Sequence, residues 1–290
     1  MKIKNNSHNT RFIVLTFIAI CFLATGGIFV KLSSLPPIST GFYRILFSIP
    51  LLFPFIKIKN INVSKKEFFL IILSGVFLAL GLVFWNLSFH MTTIANANLL
   101  ANMVPFTIIP ISYFIYKKRF DKIFYVGLFV TLLGIFTLMS GKIHPNIENF
   151  NGDIFAFLTS IFYGLFLLTV SQLRERLDAK IITFIGSFGS LITLFIAMIS
   201  IEGFYYPKTT YEFLPLLGLT ILSQILGQGL LSYCMGKIDV SLSSILVLSQ
   251  PVIAAIYSFI IFKEILSKQE ILGIVIVLSG IILSKKSLSA

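Results

Sequence analysis

Charge is scarce in this sequence, and acid is scarcer still. Of 290 residues only 12% are Asp, Glu, Lys or Arg, and these comprise 11 acidic against 23 basic side chains. A water-soluble domain carries roughly 25% charged residues to cover its surface, so this composition excludes an ordinary soluble fold. Cysteine is limited to Cys21 and Cys234, both inside apolar stretches. They say nothing about redox compartment and are expected to be buried and inert. The chain contains no HExxH, no GxSxG, no Walker A motif and no CxxC pair, so neither catalysis nor ATP hydrolysis is expected of it. No cofactor and no metal site are expected. No connection between apolar runs is long enough to hold a soluble catalytic domain.

What is present is hydrocarbon. Hydrophobic residues make up 57% of the chain and the mean hydropathy is +0.96. They fall in long runs, and about 20 mainly apolar residues match the ~30 Å hydrocarbon core of a bilayer. Ten spans can be marked, at about 12–32, 38–55, 68–88, 93–116, 124–141, 154–173, 181–201, 213–234, 240–262 and 271–284. The expected fold class is therefore all-α, a polytopic membrane protein of ten transmembrane helices. The N-terminus is basic (Lys2, Lys4, Arg11) and runs into Phe12–Leu32, which is too long for a signal-peptide core and reads as a first mature helix. The connection of spans three and four, at His90–Thr92, is the least interrupted.

The formal charge of +12 invites comparison with nucleic-acid binders, but the basic residues sit in the short connections rather than on one face. No polar domain exists to bind nucleic acid. With the N-terminus inside, seventeen of the 23 Lys and Arg fall on the inner side; Lys142, Lys208, Lys263 and Lys268 fall outside, and Lys31 and Arg44 lie within spans. That asymmetry follows the positive-inside rule and predicts ten spans with both termini cytoplasmic. The expected location is a bacterial cytoplasmic membrane.

The sequence also repeats. At a shift of 146 residues Pro105 falls on Pro251, Lys117 on Lys263, Lys122 on Lys268, Gly127 on Gly273, Leu132 on Leu278 and Gly134 on Gly280. A weaker match at a shift of 142 relates Leu35 to Leu177, Phe42 to Phe184, Ser48 to Ser190 and Phe53 to Phe195. Two five-helix repeats are expected, at residues 1–145 and 146–290. An odd number of spans turns the second copy upside down, and a site between inverted repeats can open to either side in turn.

In these features the chain resembles the drug/metabolite transporter superfamily, and within it the EamA-type permeases. The resemblance covers nearly the whole chain. It rests on Tyr43–Arg44, Pro105, the run Ser249-Gln250-Pro251 through Phe262-Lys263-Glu264, and Gly273 and Gly280. The first half departs from the family pattern at Lys118, where an acid is usual, so a symmetric pair of acids is not expected. The resemblance implies a central cavity between halves and alternating access, over a wide range of substrates.

Candidate functional residues are polar groups inside apolar spans, because a buried polar group in hydrocarbon needs a partner. Arg44 lies some six residues into the second span. It is read as a counter-charge for a carboxylate or phosphate on the substrate, or alternatively as snorkelling or paired with Glu264. Asn98 and Asn102, with Asn96 nearby, precede Pro105 in span four; Gln250 precedes Pro251 in span nine. Each proline removes a helical donor and opens the backbone. Gln224 and Gln228 lie one turn apart in span eight, Tyr163 is midway along span six, and Trp85 ends span three. Gly26 and Gly27 suit a kink or a close helix contact. Lys31 is expected to snorkel and His90 to be solvated. Expected substrate-binding residues are thus Arg44, Trp85, Asn98, Asn102, Tyr163, Gln224, Gln228 and Gln250, with Gly26, Gly27, Pro105 and Pro251 as helix-break or gating positions.

The expected function is alternating-access transport of a small polar organic metabolite, such as an amino acid or a related anionic or zwitterionic compound. No acid lies clearly inside a span; Glu264 is at an edge. Coupling through an intramembrane carboxylate is therefore not expected. The alternatives are a lipid-handling or intramembrane-enzyme protein, and a non-transporting membrane partner subunit. The expected partners are a small-molecule substrate and the lipid bilayer, not nucleic acid.

Overall fold

The computed structural model describes residues 6–56, 63–92, 94–140, 150–263 and 266–289. Among them every regular element is helical: α1 (Asn6–Leu32), α2 (Pro37–Leu52), α3 (Lys65–Met91), α4 (Ile94–Ala101), α5 (Pro105–Phe114), α6 (Lys122–Ser140), α7 (Phe150–Leu173), α8 (Ala179–Ala197), α9 (Thr210–Gly218), α10 (Leu230–Met235), α11 (Val240–Val247), α12 (Gln250–Phe262) and α13 (Lys268–Ser289). A π-helical stretch, Met198–Glu202, continues α8, and a longer one, Leu219–Gly229, joins α9 to α10.

Nine stretches among the described residues are long and apolar enough to cross a membrane: Thr10–Leu32, Pro37–Phe55, Lys65–Ser88, Asn96–Phe114, Lys122–Ser140, Phe150–Leu173, Ala179–Glu202, Thr210–Met235 and Val240–Ile261. The tenth expected span falls on α13, which is not among these nine. The chain is a multi-pass, all-helical membrane protein. Bulky apolar side chains such as Phe114, Phe129 and Ile192 are exposed on its outer faces, where the solvent is lipid.

Local chemistry sets several helix starts. Ser64 and Glu67 form a reciprocal capping box at α3. Asp178 and Asp239 cap α8 and α11 through the amides of Lys180 and Ser241. Each such bond satisfies a donor that the first helical turn leaves open. Both expected proline interruptions are present as breaks in the helix. The chain leaves α4 at Ala101 and re-enters at Pro105; it leaves α11 at Val247 and re-enters at Gln250–Pro251.

Two expectations are corrected. No break occurs at Gly26–Gly27, because α1 runs unbroken from Asn6 to Leu32. A Cβ on Gly26 would stand 2.9 Å from Ser223 Oγ, whereas one on Gly27 would meet nothing within 4 Å. Close packing therefore accounts for the first glycine, and neither interrupts the backbone ladder. His90 is not in a turn: α3 continues to Met91, since nothing before Thr92 stops it. Lys142, Glu264 and the stretch 141–149 lie outside the described residues.

Glycine decides how closely the helices approach. A Cβ on Gly127 would lie 2.6 Å from the amide nitrogen of Ser284, one on Gly134 2.5 Å from that of Val277, one on Gly273 2.5 Å from that of Leu138, and one on Gly280 2.5 Å from that of Thr131. Numbers rise along α6 as they fall along α13, so these two helices pack antiparallel with backbones in contact, as small residues allow in membranes. In the same way α3 meets α8 through Gly75, Gly186 and Gly189, and α1 meets the Leu219–Gly229 stretch through Gly26 and Gly227. α3 also packs along α7, and α2 against α8.

Candidate functional site

Arg44 sits midway along α2, on a face turned toward the π-helical stretch. It is only 9% exposed. Its Nε donates to Gln224 Oε1 at 2.8 Å, and its own carbonyl accepts from Thr220 Oγ1 at 3.3 Å. Among the described residues no carboxylate pairs with it. A guanidinium taken out of water without an opposite charge carries a penalty of about several kcal/mol, and a neutral amide offsets only part of that.

Gln224 and Gln228 are each 2% exposed. They project from the π-helical stretch Leu219–Gly229, a widened helix of the kind that concentrates at functional sites. Tyr163, from α7, donates through its hydroxyl to Gln228 Oε1 at 3.4 Å, leaving the Gln228 amide nitrogen without a partner among the described residues. Both glutamines open on a narrow cleft of about 20 Å³, which is room for roughly one water molecule. The polar wall of this cleft is completed by Ser74 of α3, Thr183, Ser187 and Ser190 of α8, and Ser232 of α10.

The structure thus brings Arg44, Tyr163, Gln224 and Gln228 together from three separate spans. Of these only Gln224 and Gln228 line the cleft, Arg44 and Tyr163 standing behind them through their bonds to the two glutamines, and none of the other expected residues lines it. Trp85 and Asn98 are half-buried on α3 and α4, and Gln250 is half-buried at the first residue of α12. Asn102 lies in the interruption after α4, where its Nδ2 donates to the carbonyl of Asn98 at 2.7 Å. That amide satisfies backbone the break exposes. Pro105 and Pro251 are buried at the two re-entry points.

Sequence reasoning missed the serines, because a single serine in an apolar run has no distinctive signal. Gly186-Ser187 and Gly189-Ser190 on α8 are small pairs three residues apart, and that spacing could have flagged a close-packed polar face. It also missed Glu202, just past the marked end of span seven.

Glu202 closes one end of the bundle. Its carboxylate accepts from the amides of Ile38 and Ser39 at 2.8 Å each, and from Ser39 Oγ at 2.8 Å. The positive N-terminus of α2 is therefore capped by an anion from another span. At this end Tyr43 also donates to the carbonyl of Tyr205, and Asp153 Oδ1 accepts from Thr92 Oγ1 at 2.6 Å and from Asn96 Nδ2 at 3.3 Å.

The opposite end is basic. Arg176 chelates Glu67 with two bonds of 2.6 Å, and Arg174 donates to the carbonyls of Leu177, Ser232 and Tyr233. Lys118, after α5, forms an ion pair with Asp239 at the start of α11. Burial lowers the Lys118 ammonium to about 8, so it is charged at neutral pH. The Arg176–Glu67 and Lys118–Asp239 pairs join the first half of the chain to the second, while Arg174 ties α7 to α10 within the second half.

Comparison with known proteins gives a consistent result. The profile of the EamA-like transporter family matches residues 10–140 and again 150–285. An uncharacterized transporter, YetK, of Bacillus subtilis (strain 168) is 24% identical over 226 residues, covering 75% of this chain and 68% of that protein. An uncharacterized transporter of Archaeoglobus fulgidus is 23% identical over 264 residues, covering 90% of this chain and 92% of the other. A solved crystal structure superposes with a TM-score of 0.80 at 16% identity, covering 96% of this chain and 98% of its own. That likeness extends the shared fold over the length of the chain. With two matches that together span nearly all its residues, the chain belongs to the EamA-like transporter family and is a membrane transporter.

Proposed function

We propose that this transporter moves a small polar organic metabolite bearing an acidic group, anionic or zwitterionic, by alternating access, with Arg44 as its counter-charge. The observation that carries this reading is the buried guanidinium bonded to the neutral Gln224. A transported acid would supply the charge the protein withholds, in a bidentate bond of the kind arginine favours.

In this reading the architecture is ten passes in two inverted halves, with α13 as the tenth. Its support is a pattern of contacts. Under the 146-residue shift the contact of Gly127 with Ser284 becomes that of Gly273 with Leu138, and α6 and α13 exchange places. The packing of α3 on α7 likewise has its counterpart in the packing of the Leu219–Gly229 stretch on α1. Such exchange is what a two-fold axis in the membrane plane produces. The ties at the two ends of the bundle are then the gates, and the narrow cleft is the substrate site with both gates shut. The basic end, with Lys118, Arg174 and Arg176, faces the cytoplasm of a bacterial cell, by the positive-inside rule.

The test is uptake into proteoliposomes across a panel of organic acids, amino acids, organic cations and neutral solutes. Accumulation of compounds bearing an acid, and not of cations or neutral solutes, supports the reading. Movement of cations or neutral solutes alone overturns it.

A further inference from the structure

Hydroxyls that line a site ordinarily offer both donors and acceptors. Around this cleft the hydroxyls of all four lining serines are already committed as donors, and only that of Thr183 is left to donate. Ser74 donates to the carbonyl of Ile71 at 2.7 Å, Ser187 to that of Thr183 at 2.8 Å, Ser190 to that of Gly75 at 2.7 Å, and Ser232 to that of Gln228 at 2.8 Å. All four side chains are buried, at 3% exposure or less. A hydroxyl has one proton and two lone pairs, so each has only acceptor capacity left for a ligand. Against them stands the amide nitrogen of Gln228, buried and without a partner among the described residues, as a donor on the same wall beside the Thr183 hydroxyl.

A group that fits must therefore both donate and accept, and it must be small. An alcohol or a primary amide does both. An ammonium group donates but has no lone pair for the Gln228 N–H. It would also add a second positive charge one glutamine away from Arg44, in a cleft whose lining has no acidic side chain among the described residues. Like charges at that separation in a low-dielectric site repel strongly.

We infer that the cleft is a hydroxyl- or amide-recognising subsite, and that the substrate is a net monoanion carrying such a group beside its acid, in the manner of a hydroxy acid, rather than a zwitterionic amino acid. The inference rests on the reading that Arg44 holds the acid. A hydroxy acid leaves the site neutral overall, whereas an amino acid leaves the guanidinium charge uncompensated.

The experiment uses matched series of three to six carbons: 2-hydroxy acids, the corresponding 2-amino acids, and the unsubstituted acids. Uptake by wild type, Ser187→Ala and Arg44→Ala is compared in proteoliposomes. Ser187 bonds back within its own helix, so its removal leaves the fold intact. The hydroxy acid is expected to be taken up at least about tenfold better than either analogue, one misfitted buried polar pairing being enough for that ratio. Ser187→Ala is expected to lower the preference for hydroxy over unsubstituted acid at least about threefold. Amino acids moving as well as hydroxy acids, or unsubstituted acids doing so, would overturn the inference while leaving the role of Arg44 standing. If no acid of any series moves and Arg44→Ala changes nothing, the underlying reading fails and the inference with it.

Discussion

Gly75 offers the sharpest test of how the bundle is packed. A Cβ at this position would lie 1.9 Å from the carbonyl oxygen of Gly186, 2.8 Å from its carbon and 3.0 Å from the amide nitrogen of Ser190. Non-bonded heavy atoms settle at about 3.5 Å, so Gly75→Ala must drive α3 and α8 apart by about 1.5 Å. No side chain can rotate away, because the opposing atoms are backbone. Overpacking of this kind costs about 1–3 kcal/mol. Separation also breaks the bond from Ser190 Oγ to the Gly75 carbonyl, worth about 1 kcal/mol more. The sum corresponds to a fall in unfolding temperature on the order of 5–10 °C. Gly27→Ala is the control, since its Cβ meets nothing within 4 Å and its backbone is helical; alanine there is neutral or stabilising by up to about 1 kcal/mol. The assay is thermal unfolding in detergent, followed by a thiol-reactive dye at buried Cys234. Equal unfolding temperatures for the two variants would refute the packing argument.

Further consequences can be checked separately. Gln228→Leu removes an amide nitrogen without a partner among the described residues but also the acceptor of the Tyr163 hydroxyl at a long 3.4 Å, so stability should fall by no more than about 1 kcal/mol while transport falls about tenfold or more; a larger loss of stability with transport intact would contradict the assignment. Glu202→Gln replaces the charged cap of α2 by a neutral one. It should weaken that closure by about 1–2 kcal/mol, read as faster labelling of a cysteine introduced in the cleft, Ser187→Cys, from that side. Asp239→Asn retains an acceptor for the Ser241 amide but loses the Lys118 ion pair, so the basic end should open more readily with α11 intact. The Lys118 ammonium titrates near 8, so the ion pair is present at pH 7 and lost as pH rises through that value. If that closure limits turnover, transport should rise between pH 7 and 9 in wild type and stay flat in Lys118→Arg, which remains charged.

Long apolar runs and the distribution of lysine and arginine are one-dimensional signals, and the helical passes were legible from them to within a few residues. The breaks ahead of Pro105 and Pro251 were legible too, because a proline removes a donor wherever it stands. The π-helical form of Leu219–Gly229, which packs against α1 and α2, was not, since no residue type dictates it. Of the site, Arg44, Gln224, Gln228 and Tyr163 could be picked out because charge or amide in hydrocarbon is anomalous at any position. Their mutual contacts join residues 180 and 65 positions apart in sequence, which pattern alone cannot pair. Asn102 carried the same signal, and its amide caps the backbone carbonyl of Asn98 where the helix is broken. The serines were silent until their neighbours were known.

The most direct test of the central claim is uptake of one transported acid by wild type and Arg44→Ala, reconstituted at equal density and with equal unfolding temperatures. Loss of a charge-assisted bond at a buried site predicts a fall of about 10- to 100-fold in the variant, with Arg44→Lys intermediate because a point charge replaces a bidentate fork. Uptake by Arg44→Ala equal to wild type would contradict the account.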